Sequence, residues 1–141
     1  MLIRRENKSD YESIYDVVKT AFESADHEDG NEQDLVNALR NGDSYISELS
    51  LVAEIDGIIV GHVMFTKAWV GDIPVLALAP LSVIPEYQRK GIGTALVKGI
   101  VYCWGCVFWV YCKLIIVKGA DNVAHHLTGY GQATGVIAVR D

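Results

Sequence analysis

Apolar positions recur at helical spacing in the first forty residues, at strand spacing through the next forty, and almost without interruption beyond residue 100. Met1 to Arg5 reads as an edge strand. Ser9-x-x-Glu12 has the form of a capping box, and Tyr11, Ile14, Tyr15, Val18 and Phe22 follow at steps of three and four, so a helix with one buried face is expected from Ser9 to Phe22. Ser24 to Gly30 is a polar, acidic loop. Glu32 to Arg40 predicts a second, short helix carrying Leu35, Val36 and Leu39, with Asn41-Gly42 as a left-handed stop. Leu49 to Ile55 then reads as a strand, Asp56-Gly57 as a hairpin turn and Ile58 to Val70 as the returning strand. Gly71-Asp72 turns the chain into another strand, Val75 to Val83, apolar on both faces as in the middle of a covered sheet. Pro80 removes a ladder donor inside it and predicts a bulge or splay, which frees backbone groups for an amide-bearing ligand.

That strand runs into Gln88-Arg89-Lys90-Gly91-Ile92-Gly93-Thr94, a basic glycine loop that opens a helix through Ala95, Leu96 and Val97. Amides of a first helical turn lack intrahelical acceptors, and the helix dipole adds partial positive charge beside them. Gly91 and Gly93 clear β-carbons from the approach of a pyrophosphate, while Arg89 and Lys90 supply cations. No Gly-Lys-Ser/Thr follows as a P-loop requires, and the third glycine and acidic ribose ligand of a dinucleotide fingerprint are absent.

The string PLSVIPEYQRKGIGTALV, from Pro80 to Val97, resembles motif A of the GNAT superfamily of N-acetyltransferases, Q/R-x-x-G-x-G/A. Tyr45 to Val63 resembles that family's first central hairpin, and the likeness spans residues 1 to about 99. It implies a single α/β domain over 1–141 with the GNAT-like acyl-CoA N-acyltransferase fold. In that fold a mixed, mostly antiparallel central sheet is flanked by helices, with a splayed strand at the cofactor site. It implies acetyl-CoA as co-substrate, its pantetheine arm on the backbone of Leu81, Ser82 and Val83 and its pyrophosphate on the loop Gln88, Arg89, Lys90, Gly91, Ile92, Gly93 and Thr94. The reaction expected is transfer of an acetyl group to a primary amine of a small molecule or peptide, with the Ser82–Val83 backbone polarising the thioester carbonyl. Glu54 and His62, on the central strands, are the candidate catalytic bases; a solvent-facing strand carboxylate and a core histidine are their plainer readings. Homodimers paired through sheet edges belong to the same resemblance. The acidic residues Asp26, Glu28, Asp29, Glu32 and Asp34 fall beside the family's acceptor cleft and point to a cationic amine, or else form a solvated loop.

The resemblance stops near Gly99 to Val101. The following VYCWGCVFWVYCKLIIV carries one charge, and Lys113 breaks it below the roughly 18 residues of a membrane span. Cys106 to Val117 accommodates a buried strand pair and Val136 to Val139 a last strand. A tyrosine that protonates the leaving thiolate in the resembling family has no matching segment, leaving Tyr111 and Tyr130 as substitutes or core residues. The abrupt change reads as a reading-frame shift, since the alternative frame of Lys113 to Val117 is compatible with a Tyr-Tyr-Ser string; a divergent tail is the other reading. Loss of that segment defines a second functional class, an acetyl-CoA-binding protein with impaired or no catalysis. Cys103, Cys106 and Cys112 lack two further zinc ligands at suitable spacing, His125 and His126 being adjacent, so free thiols and no metal are expected. A net charge of −6 argues against nucleic acid. The charged start, Met1-Leu2-Ile3-Arg4-Arg5, contains no apolar leader, so a cytoplasmic location and no membrane partner are expected.

Overall fold

The computed structural model describes residues 1–23, 30–70, 72–104, 113–115, 124–126 and 136–138. Its elements run β1 (Leu2–Arg5), α1 (Tyr11–Phe22), α2 (Glu32–Arg40), β2 (Tyr45–Ile55), β3 (Ile58–Val70), β4 (Ile73–Val83), α3 (Ile92–Trp104), β5 (Lys113–Ile115), β6 (Ala124–His126) and β7 (Val136–Ala138). One sheet holds the strands in the order β1-β2-β3-β4-β5-β7-β6. Its first four strands pair antiparallel, β5 joins β4 and β7 in parallel, and β6 pairs β7 antiparallel. The expected mixed sheet, mostly antiparallel, is present, with β1 at its edge.

Side-chain alternation along β2–β4 feeds two cores. Leu51, Val63, Phe65, Leu78, Leu81 and Val83 face α3 and its Ile92, Leu96 and Ile100. Val52 and Met64 face Ile14 and Val18 of α1 and Val36 of α2. Helices therefore cover both faces. The first helix buries Ile14, Val17 and Val18, while Tyr11, Tyr15 and Phe22 are half-buried.

Local sequence signals set some element ends, and the packed chain sets others. Asp56 (φ 52°) and Gly57 (φ 80°) make the two-residue turn that matches strand twist. The first capping box is not Ser9–Glu12. Asn7 Oδ1 accepts from the Ser9 amide at 3.0 Å and Asp10 Oδ2 from the Asn7 amide at 2.8 Å, around a short 3₁₀ turn that leads into α1. Nor is Gly42 left-handed: Asn41 stays in the right-handed region (φ −90°, ψ 0°), and the Gly42 amide bonds the Leu39 carbonyl at 3.1 Å. The third helix continues to Trp104, beyond the point where charges cease.

Helix α3 sits close on the sheet because two glycines allow it. A β-carbon on Gly61 of β3 would lie 3.1 Å from Leu96 Cδ1, 3.1 Å from the Ser82 carbonyl oxygen and 3.3 Å from Ile92 Cγ2. One on Gly99 of α3 would lie 2.9 Å from Ile3 Cγ2. Gly61→Val is therefore expected to overpack this layer and cost about 1–3 kcal/mol, measured by urea denaturation. An unchanged urea midpoint would mean that α3 is not held at this distance.

Candidate active site and cofactor cradle

Strand β4 carries the bulge that Pro80 predicts. Val63 pairs with Leu81 and Phe65 with Leu78, so two steps along β3 match three along β4 and the extra residue falls at 79–80. On the other side, β5 pairs only with Val75, Leu76 and Ala77. Among the described residues, Leu78 to Val83 has no ladder partner on that edge. Among the described residues its backbone groups on that edge, apart from the Val83 carbonyl, are open to another extended chain.

The open edge ends at the glycine loop. Gln88 Nε2 donates to the Val83 carbonyl at 2.9 Å, clasping the loop to the strand. Arg89 stands at φ 59°, a conformation a non-glycine residue adopts at a cost and one that recurs at ligand clamps. Gly91 has φ 80°, and a β-carbon there would meet nothing within 4 Å. The space over its backbone is open, and Arg89 and Lys90 flank it, both exposed. Ile92 is 3 % exposed with its side chain in the core, so its contribution to a ligand is its amide. Gly93 is buried and Thr94 exposed in the first turn of a 13-residue helix. Open edge, left-handed Gly91, exposed cations and free first-turn amides together fit a pantetheine diphosphate chain.

A second group of polar side chains lies under α1 and α2, on the opposite sheet face from α3. At its centre is Glu6, just past β1. Its Oε1 accepts from Arg40 Nε at 2.9 Å and from the Tyr45 hydroxyl at 2.8 Å; its Oε2 accepts from Arg40 Nη2 at 3.0 Å and lies 3.0 Å from His62 Nε2. Ser50 Oγ is 3.1 Å from the same His62 nitrogen. The Arg40 guanidinium also stacks 3.8 Å over the Tyr11 ring. His62 is fully buried, and the side chains of Glu6 and Arg40 are 1 % and 6 % exposed.

Burial alone would push Glu6 up. The bonds from His62, Arg40 and Tyr45 outweigh it and hold the carboxyl well below the usual range, so Glu6 is ionised. Burial pushes the His62 imidazole down, against the pull of Glu6, and the ring is neutral. Both shifts act in one direction. As pH falls through the ordinary imidazole value of 6.5, the unfolded chain takes a proton at His62 that the folded chain refuses; below 4.5 the same holds at Glu6. The unfolded state then binds more protons, so stability falls on acidification. The urea midpoint is expected to decline from about pH 6.5 downward, with His62→Gln removing the upper part of that decline. A midpoint flat to about pH 5 would contradict this assignment.

The structure separates the two candidate bases. Glu54 is half-buried at the sheet margin, its Oε2 2.9 Å from Arg4 Nε, while Arg4 grips Asp10 through Nη1 at 2.7 Å and Nη2 at 3.0 Å. Arg4 in turn holds the Asp10 carboxyl below its ordinary range. His62 sits instead in the Glu6 group, with Ser82 as its register partner on β4. Glu6, Arg40, Tyr45 and Ser50 were missed by sequence reasoning; a glutamate in the polar stretch Glu6-Asn7-Lys8-Ser9-Asp10 gives no local sign of burial. Asp26, Glu28 and Asp29, Cys106 and Cys112, and Tyr111 and Tyr130 lie outside the described residues. Glu32 and Asp34 stand in the first turn of α2, where Asp34 accepts from the Tyr15 hydroxyl at 3.2 Å. Among the described residues no group of three or more His, Cys, Asp or Glu is placed to hold a metal, and no helix is long and apolar enough to cross a membrane.

Known proteins resemble this chain in sequence and in fold. The chain is 41 % identical over 96 residues to the uncharacterized N-acetyltransferase YjhQ of Escherichia coli K12, a match covering 65 % of this chain and 50 % of YjhQ. It thus spans about half the length of that relative. A GNAT family acetyltransferase from Brucella melitensis, solved in complex with acetyl-CoA, superposes with a TM-score of 0.70 at 33 % identity, over 80 % of this chain and 73 % of that one. YhbS of Escherichia coli, solved with CoA, gives 0.64 at 30 % identity, over 76 % and 58 %. The profile of the Acetyltransferase (GNAT) family matches residues 11–112, and the chain belongs to that family.

Proposed function

We propose that the protein transfers the acetyl group of acetyl-CoA to a primary amine of a small molecule or a peptide. The observation that carries this reading is the edge of β4 from Leu78 to Val83, unpaired among the described residues, bulged at 79–80 and leading into a loop with left-handed Gly91. The backbone of Leu81, Ser82 and Val83 would hold the pantetheine arm as an added strand. The amides of Gly91, Ile92, Gly93 and Thr94 would take the pyrophosphate, with Arg89 and Lys90 adding charge and Gln88 keeping the loop on the strand. When bound, acetyl-CoA supplies the thioester. The chain supplies orientation, a polarised carbonyl and a place for the amine's proton, for which His62 and Glu54 are the candidates.

The acceptor in this reading is a cation drawn by the acidic residues around α2, Glu32 and Asp34 among them. Two copies paired through sheet edges and a cytoplasmic location complete the proposal. The test joins two measurements: the melting shift on adding CoA, and thiol release from acetyl-CoA with cationic and neutral amines at low and high salt. Melting should rise with CoA, and cationic amines should gain most at low salt. No CoA effect on melting would refute the reading. Binding without thiol release from any amine would favour the alternative, an acetyl-CoA binder without efficient catalysis.

A further inference from the structure

We infer that Glu6, His62 and Ser82 form a relay that removes the proton from the acceptor amine, with Ser82 meeting the amine and His62 and Glu6 acting through it. The inference rests on the acetyl-transfer reading above and names the proton path at that site.

The first ground is the asymmetry of the imidazole. Both contacts of His62 fall on Nε2, at 3.0 Å from Glu6 Oε2 and 3.1 Å from Ser50 Oγ. An ionised carboxylate only accepts, so the ring proton sits on Nε2 and Nδ1 keeps its lone pair. Ser50 shares a nitrogen with Glu6 and is no nucleophile activated by the ring; a relay needs the second nitrogen. Glu6 is itself fixed by Arg40 from α2 and Tyr45 from β2, with Tyr11 of α1 stacked under Arg40, so the tautomer is held from three sides.

The second ground is a pair of orphaned atoms. His62 Nδ1 and Ser82 Oγ are both buried without a hydrogen-bond partner among the described residues. The two residues are 0 % and 1 % exposed and stand opposite each other in the β3–β4 ladder, on one face of the sheet. A buried lone pair and a buried hydroxyl with nothing to bond are costly unless something joins them, and one bridging water completes the path. Ser82 is also the middle residue of Leu81–Val83, the part of β4 beyond the bulge.

The chemistry balances. The substrate ammonium gives one proton to Ser82 as the Ser82 proton passes to the bridging water and a proton of that water to His62 Nδ1, leaving imidazolium beside the Glu6 carboxylate. The freed nitrogen bonds the acetyl carbon, the C–S bond breaks, and the second proton shed by the nitrogen goes to the departing thiolate. Once the amide product has left, His62 returns its proton through the water and Ser82, by the path on which it came.

The test uses the full chain, with spermidine, kanamycin and a peptide bearing a free N-terminal alanine as amine probes. Ser82→Ala and His62→Gln are expected to lower kcat by roughly a hundredfold or more at unchanged Kd for CoA, and His62→Gln to remove the rising limb of the pH–rate profile. Nitrogen NMR of histidine-labelled protein should place the His62 proton on Nε2, and Glu6→Gln should release that preference. Wild-type kcat and pH profile in Ser82→Ala would overturn the relay. A proton on Nδ1 would overturn it as well, whether or not any probe amine reacts. Absence of CoA binding by the wild-type chain is a different failure, since it removes the acetyl-transfer reading itself.

Discussion

Glu6→Ala is expected to destabilise the protein by about 3–5 kcal/mol, because it strands a buried guanidinium. Arg40 is 6 % exposed in its side chain and gives Nε and Nη2 to Glu6; its other polar contact among the described residues is Nη1 on Asn37 Oδ1 at 2.8 Å. The same substitution takes the acceptor from the Tyr45 hydroxyl and the partner from His62 Nε2. Removing one member of such a group leaves the others desolvated and unpaired, which is more damaging than the group's net contribution when intact. Glu6→Gln keeps the shape and an acceptor oxygen, so it should lie between wild type and Ala. Urea denaturation of the three proteins at neutral pH gives the answer. A loss below about 1 kcal/mol for Glu6→Ala would mean that water reaches the group and solvates what remains.

Gly91→Val is expected to abolish detectable CoA binding, a loss of more than roughly a hundredfold in affinity or about 2.7 kcal/mol. Two effects combine. A branched side chain would fill the open space over the loop, and φ 80° is a conformation valine resists, so the amides would also be turned away. These effects can be separated within this molecule. Gly57 in the β2–β3 turn has the same φ of 80° and equally open surroundings. Gly57→Ala and Gly91→Ala should cost similar stability, about 1 kcal/mol each, but only the second should weaken CoA in a titration. Arg89→Ala should weaken it less, and in a way that salt erases, since an exposed cation is screened. Equal and mild effects of Gly57→Ala, Gly91→Val and Arg89→Ala on CoA affinity would rule out a phosphate cradle here.

What the amino-acid sequence determined by itself is what depends on near neighbours. Asp56-Gly57 encodes a hairpin turn because both residues tolerate positive φ, and β2 and β3 pair antiparallel on either side of it. Pro80 lacks an amide hydrogen, and the extra residue at 79–80 appears where that gap falls. The loop from Gln88 to Thr94 is legible because strand, glycines and helix start are contiguous. Capping was harder to place, since Asn7–Asp10 and Ser9–Glu12 both offer suitable side chains and only the packed chain chooses between them. The tertiary structure alone decided the polar group on the α1–α2 face. Glu6 meets Arg40 across 34 residues, Tyr45 across 39 and His62 across 56, and no periodicity records such a meeting. It likewise decided that Glu54 is engaged by Arg4 while His62 faces Ser82. Local rules act through the backbone over a few residues, whereas the partners of a buried charge are selected by which strands and helices the whole core brings together.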